Sequence, residues 1–385
     1  MEQNDLKVLM ISSDRNILVE SSAVSVRMKE YAKLVGELHI VVLSTSGNGL
    51  KNKELDKNLW VYPTNSFSKW MYPSSAGTIG KRIVFEKNFV RGKSVITTQD
   101  PFECGLAGLN IKNKWRIPLE VQVHTDPTSK YFNGFLNSLR KRISKKVIKN
   151  ADTVRVVNKY VGEEIIKIYS KDPKTVTTLP IYVDKKRIED AHVTFDLHQR
   201  YGWNFILLSV ARLTEEKNLG LAIEVLKKVN KYFPETGLVI AGSGPEENKL
   251  KSLAKSLGVD SKVAFVGWQE DLASYYHSAN LFLQTSYFEG YGLALVEAGI
   301  SGLPVVSTPV GIANDLENGK DLYICPQNDP EFMFKAVYDL IENNIKRDSL
   351  KINMKHSLNA LLISKEDYLS NLQKAWVNTA SRVSI

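Results

Sequence analysis

Two glutamates, Glu289 and Glu297, stand with seven residues between them in the run Ser286-Tyr-Phe-Glu-Gly-Tyr-Gly-Leu-Ala-Leu-Val-Glu-Ala298. Upstream, Ser209-Val-Ala-Arg-Leu-Thr-Glu-Glu-Lys217 carries two fixed cations, Arg212 and Lys217, five positions apart. Carboxylates accept hydrogen bonds from sugar hydroxyls, and guanidinium and ammonium groups hold phosphate oxygens. The two runs together suit a ligand that has both, such as a nucleotide-sugar. Gly290 and Gly292 let backbone approach a ligand closely. The Leu293-Ala-Leu-Val-Glu-Ala-Gly-Ile that follows is helix-forming, with apolar residues for a buried face. A helix starting near Gly292 turns free N–H groups and a positive dipole end toward whatever the loop holds, which favours phosphate. Eight helical residues span ~12 Å, whereas the carboxyl pair of a glycoside hydrolase sits ~5–9.5 Å apart. Glu289 and Glu297 therefore read as two separate hydroxyl acceptors, not as an acid–base couple.

Such residues need a scaffold that delivers them to one edge. Strands are expected at 6–11, 38–43, 60–62, 94–98, 119–123 and 153–157, with a helix over 24–35. After a mixed, polar connection from Leu179 to Arg200, further strands are expected at 205–210, 237–241, 262–266, 281–284 and 304–307. Alternating strands and helices predict an α/β chain with parallel sheets wrapped on both faces. Ligands of such sheets bind beyond the carboxyl ends of the strands. At 385 residues and 43% hydrophobic the chain is long enough for two domains. No internal repeat or low-complexity segment interrupts it.

Five segments carry a resemblance: Ser209-Val-Ala-Arg-Leu, Val239-Ile-Ala-Gly-Ser-Gly-Pro, Val263-Ala-Phe-Val-Gly, Leu281-Phe-Leu-Gln-Thr-Ser and Gly302-Leu-Pro-Val-Val-Ser-Thr. In that order, and with the two glutamates, they resemble the E-x7-E region of the retaining glycosyltransferases of the family 4 type. The match runs over roughly residues 205–326 and is looser in the first half. The resemblance implies the GT-B fold, two Rossmann-like domains with parallel sheets facing a central cleft. It implies an acceptor-binding domain at 1–185, a nucleotide-sugar-binding domain at 186–364 and a final helix, 365–385, packing back on the first domain.

By the same resemblance, Arg212 and Lys217 match the diphosphate pair and would stabilise the departing phosphate oxygens. Glu297 matches the acceptor of ribose hydroxyls, Glu289 a residue near the donor sugar, and Gly290, Tyr291, Gly292 and Leu293 the surrounding cradle. Gly242 and Gly244 are further candidates for donor contact, in a strand-to-helix turn with Pro245 at the first helical turn. They lack the full dinucleotide fingerprint, and Trp268 borders the base. His124 resembles the histidine neighbouring the donor sugar, with Asp126 and Asp100 as acceptor-side candidates. Many relatives carry a glycine pair after the first strand. This chain has no glycine before Gly36, so Ser21 and Ser22 are the candidates for hydroxyl donors there.

The activity implied is hexosyl transfer from a nucleoside-diphosphate sugar, with UDP favoured over GDP-mannose on family prevalence. Configuration would be retained, and the acceptor would be a glycan or lipid-linked hydroxyl in envelope polysaccharide or glycolipid synthesis. No Asp-X-Asp stands at a strand end, so neither a metal nor a cofactor is expected. A sugar-nucleotide epimerase of the same architecture and an inactive donor-binding subunit are the alternatives.

Charge is uneven. Residues 1–200 hold 33 Lys and Arg against 21 Asp and Glu, and the rest 18 against 21, for a net +9. The excess concentrates in 139–149, where Leu136, Leu139, Ile143 and Val147 recur at helical spacing. That pattern suits an anionic membrane surface or an ordinary surface helix equally. No recognition motif for nucleic acid accompanies it. Cys104 and Cys325 form neither a metal motif nor a disulfide framework. With a polar, acidic start unlike a signal peptide and no ~20-residue apolar run, the expected location is cytoplasmic, at most peripheral at a membrane.

Overall fold

The computed structural model describes residues 5–124 and 134–382. The chain divides into two compact units, one running to Pro180 and including the segment from Ser364, the other Ile181–Ile363.

The first unit is built on β1 (Lys7–Ser12), β2 (Glu37–Val42), β3 (Lys53–Asp56), β4 (Leu59–Pro63), β5 (Ser94–Thr98), β6 (Leu119–Val123), β7 (Thr153–Val156) and β8 (Val176–Thr178). Their order is β3-β4-β2-β1-β5-β6-β7-β8. All neighbours pair parallel except β3, which runs antiparallel to β4 at the edge. Strands such as β1 and β5 are buried on both faces, as crossover helices demand. Leu9, Ile11, Ile96, Val121 and Val156 belong to one apolar cluster with Ala107 and Ile111 of the helix Glu103–Trp115. The helix Lys365–Ala380 packs on the other side, where Trp376 is fully buried and meets Tyr31 edge-on at 6.1 Å.

The second unit carries β9 (Phe205–Val210), β10 (Thr236–Ala241), β11 (Val263–Gly267), β12 (Leu281–Gln284), β13 (Val305–Ser307) and β14 (Tyr323–Ile324), all parallel in the order β11-β10-β9-β12-β13-β14. Its core joins Leu207, Leu238, Ile240 and Leu283 to Leu219, Ile223 and Leu226 of the helix Leu219–Val229.

Three strands have no counterpart in the sequence reading: β3, β8 and β14. They are edge strands of two to four residues with polar or half-buried sequences, so no hydrophobic period marks them. The Leu179–Arg200 connection also holds two short helices, Lys185–Glu189 and Leu197–Tyr201, capped by Asp184 and Asp196. Pro245 lies in a turn and the helix after it begins at Glu247, which corrects the expected first-turn position.

Candidate functional site

In the second unit the chain runs from β9 outward through β10 to β11, then returns to place β12 on the other side of β9. That reversal opens a crevice at the carboxyl ends of β9 and β12, where parallel α/β sheets bind ligands. The two loops that leave those strands carry Arg212, Lys217 and Glu289, and backbone bonds lock them together. The Tyr287 N–H donates to Glu216 O at 2.8 Å, and Thr285 Oγ1 donates to Lys217 O at 2.9 Å. Beneath them, Ser209 Oγ donates to Leu283 O and Thr308 Oγ1 donates to Ser286 O, both at 2.7 Å. Hydroxyls at the ends of β9, β12 and β13 thus fix the loop roots.

Lys217 Nζ lies 2.7 and 2.8 Å from the two oxygens of Glu289, and Ser286 Oγ donates to Glu289 Oε1 at 2.7 Å. The side chains of Lys217 and Glu289 are only 13% and 14% exposed, so the pair is little screened by solvent. Arg212 is different. Its side chain is 76% exposed, with a long 3.5 Å contact to Glu216. The structure therefore provides one anchored cation and one extended, adjustable cation on the same loop.

Gly242 and Gly244 hold that loop from behind. A Cβ on Gly242, whose φ is +141°, would lie 1.9 Å from Ala211 O, and one on Gly244 would lie 2.3 Å from Leu213 O. The Leu213 N–H donates to Ser243 O, the Glu246 N–H to Leu213 O, and the Gly242 N–H to Gly267 O. These glycines are required by close backbone approach to the segment around Arg212. The Gly242 N–H is spent within the fold, which corrects its assignment to direct donor contact.

Glu297 sits within the helix Leu293–Ile300, which Gly292 caps in a left-handed conformation. The first N–H groups of that helix have no partners within it. Glu297 Oε2 accepts from the Tyr276 hydroxyl at 2.9 Å. Burial raises the carboxyl's pKa, while the Tyr276 bond and the charge of Arg187 hold it down. Tyr291 is buried, and its hydroxyl and that of Thr214 lack a hydrogen-bond partner among the described residues. The Tyr291 carbonyl accepts from the Ile312 N–H at 2.8 Å, and a Cβ on Gly311 would lie 2.5 Å from it. Trp268 is 67% exposed just past the edge strand β11. Ser286, Tyr276 and Arg187 were not singled out from the sequence. Tyr276 and Arg187 come from distant segments that no local spacing connects to Glu297.

In the first unit, Ser22 Oγ accepts from the Ser25 N–H, capping the helix Ala23–Ala32, and donates to Asn16 O at 2.6 Å. Its one proton is taken within the fold, which corrects its expected role as a free donor; Ser21 is exposed beside it. Asp100 Oδ1 accepts from the Phe102 and Cys104 N–H groups at the start of the helix Glu103–Trp115, so it shapes that turn. Asp126 lies outside the described residues.

His124 follows β6, with Nε2 3.0 Å from Gln122 Oε1. Burial, with Arg155 and Arg27 nearby, lowers its pKa from the usual 6.5 to about 4. The unfolded chain then takes up more protons than the folded one between those values, so stability falls as pH drops from about 6.5 to about 4. The loss is about 3 kcal/mol. Burial also lowers the pKa of His39, so the comparison is with His124→Gln. Urea unfolding across this window should show a flatter pH dependence in that variant, and equal slopes would contradict the assignment.

Comparison with known proteins gives the family and the fold. The model of a family described as glycosyl transferases group 1 matches residues 195–357, and that of glycosyltransferase family 4 matches residues 28–187. An uncharacterized glycosyltransferase of Haemophilus influenzae is 35% identical over 143 residues, 37% of this chain and 40% of that protein. The alpha-monoglucosyldiacylglycerol synthase of Acholeplasma laidlawii is 26% identical over 259 residues, 62% of this chain and 65% of that one. The matches therefore span 40% and 65% of these two curated relatives. The structure of Anabaena HepE, solved with UDP and glucose, shares the fold at a TM-score of 0.71 and 16% identity, covering 96% of this chain and 98% of that one.

Proposed function

The chain belongs to the glycosyltransferases of group 1, family 4, and on that premise we propose that it moves a sugar from a nucleoside-diphosphate sugar to an acceptor hydroxyl with retention of configuration. One observation carries this reading. The Lys217–Glu289–Ser286 cluster and the exposed Arg212 converge at the crevice of the second sheet, on loops joined to a helix N-terminus. The diphosphate lies against Arg212, Lys217 and the first N–H groups of the helix Leu293–Ile300, while Glu297 accepts from ribose hydroxyls and Glu289 from the sugar. No side chain serves as a covalent nucleophile. The acceptor oxygen bonds to the anomeric carbon on the face from which the diphosphate leaves, and the acceptor's proton passes to the departing phosphate oxygen. The two cations neutralise the charge that develops there, so the step needs no divalent ion. HepE was solved with UDP and glucose, which favours a UDP-sugar over GDP-mannose. Incubating the protein with UDP-glucose, UDP-N-acetylglucosamine and GDP-mannose and a glycolipid acceptor, then reading the anomeric configuration of the product by NMR, tests the proposal. An inverted product or hydrolysis without transfer would refute it.

Glu297→Ala should weaken UDP binding by roughly 10–100-fold, the worth of hydrogen bonds to a charged group, with little loss of stability because burial already opposes the Glu297 charge. Calorimetric titration checks it, and unchanged affinity would remove Glu297 from the ribose.

The acceptor side falls to the first unit in this reading, with His124 among its candidate substrate contacts. In the helix Phe135–Asn150, Val147 is fully buried, but Leu136 and Leu139 are 57% and 37% exposed. The apolar stripe is therefore exposed at its N-terminal end, and Arg142, Lys145, Lys146 and Lys149 are exposed farther along the same helix. We infer that this helix rests on an anionic membrane surface that presents a lipid-linked acceptor. Each basic residue near such a surface contributes about 1 kcal/mol. Replacing those four by glutamine should cut binding to vesicles containing phosphatidylglycerol at least tenfold; unchanged sedimentation would argue for a soluble acceptor.

A further inference from the structure

Along β6 the residues Glu120, Gln122 and, just past its end, His124 alternate with Leu119, Val121 and Val123, so the polar set shares one face of the sheet. This face is buried: Glu120 is 1% exposed and Gln122 5%. Register places Thr97 of β5 opposite Glu120, and Arg155 of β7 opposite Gln122. Arg155 Nε lies 3.3 Å from Glu120 Oε1, which also accepts from Thr97 Oγ1 at 2.8 Å. Gln122 Nε2 donates to Thr97 Oγ1 at 2.9 Å, and Gln122 Oε1 lies 3.0 Å from His124 Nε2.

The direction of every proton in this row follows from its fixed end. A carboxylate paired with a guanidinium only accepts. The Thr97 hydroxyl proton is therefore committed to Glu120, and its oxygen is left to accept. Only the amino side of Gln122 can supply that bond, which turns the amide oxygen toward His124. An amide oxygen cannot donate, so His124 Nε2 must carry the hydrogen.

We propose that Thr97 and Gln122 are positioning residues that hold His124 as the neutral Nε2–H tautomer, leaving Nδ1 as an acceptor for a substrate hydroxyl. The substrate half rests on the reading of His124 given above; the tautomer does not. Burial and the charges of Arg155 and Arg27 keep the imidazole neutral. From the elements packed on this row, Glu120 faces Arg155, and Tyr31 and Tyr368 lie against it with their hydroxyls 2.6 Å apart. His124 is then neither a proton donor to the leaving group nor a cation for phosphate. Its contribution is one oriented hydrogen bond.

The test is a 15N NMR correlation spectrum of the full chain with labelled histidine, the His124 signals being assigned by their loss in His124→Gln. At neutral pH the wild type should show a protonated Nε2 and an unprotonated Nδ1. Thr97→Val, nearly isosteric, and Gln122→Leu should mix the two tautomers and lower kcat about tenfold, one net hydrogen bond's worth, with KM for the acceptor unchanged. Thr97→Ser should restore both. A protonated Nδ1 in the wild type, or an unmixed tautomer in both variants, would overturn the positioning role. Expected spectra with full transfer by His124→Ala would overturn the substrate contact alone.

Discussion

Lys217→Ala should lower kcat/KM by about 100- to 1000-fold, the usual cost of removing one group that stabilises developing charge. It should also destabilise the second unit. The Lys217 ammonium bridges both oxygens of Glu289, and neither side chain exposes more than 14% of its surface. Without it the carboxylate keeps the Ser286 hydroxyl as its partner from this cluster, and stranding a largely buried charge costs up to about 3 kcal/mol. The two losses can be separated. Combining Lys217→Ala with Glu289→Ala should recover much of the stability, because no unpaired charge remains, while transfer stays lost. Arg212→Ala should impair transfer without destabilising the protein, as its side chain is 76% exposed. Steady-state kinetics with urea unfolding of the wild type and these three variants checks the set. Retained turnover in the Arg212, Lys217 double alanine variant would mean that the diphosphate lies elsewhere.

Gly242→Ala should be as damaging although the residue carries no chemistry. Its φ of +141° belongs to a region that L side chains rarely occupy, and the new methyl would lie 1.9 Å from the Ala211 carbonyl oxygen. Backbone strain of this kind costs of order 1–3 kcal/mol, and overpacking typically costs 1–3 kcal/mol more. The segment that must yield carries Arg212. Gly242→Ala should therefore lose both stability and nucleotide affinity, measured by urea unfolding and calorimetric titration. Wild-type stability would show that the loop can move aside freely. Retained affinity with lost stability would separate the glycine from the site.

These two residues show what the sequence made legible. Long, apolar strands such as Ser94–Thr98, Leu119–Val123 and Phe205–Val210 are visible because burial on both faces leaves a continuous hydrophobic run. Local spacing was enough to single out Lys217 and Glu289 but not to show that they pair. That contact spans 72 positions and depends on β12 returning beside β9. Gly242 stood out as a turn glycine, whereas its partner Ala211 belongs to another loop. The row from Arg155 to His124 was open to a closer reading. Polar residues at alternate positions of an otherwise apolar strand, Leu-Glu-Val-Gln-Val-His, signal a buried polar face once both sides are covered. The hydroxyl of Ser22 shows the reverse case, since a serine before a helix is most often a cap.

In the proposed reaction the second unit holds a nucleoside diphosphate through Arg212, Lys217 and Glu297 without a divalent ion. Thermal unfolding of the full protein with UDP, GDP or ADP, each with magnesium and with a chelator, tests it most directly. UDP should raise the midpoint equally in both conditions, because a ligand that binds only the folded state stabilises it by mass action. No shift with any nucleotide, or a UDP shift that vanishes with the chelator, would contradict it.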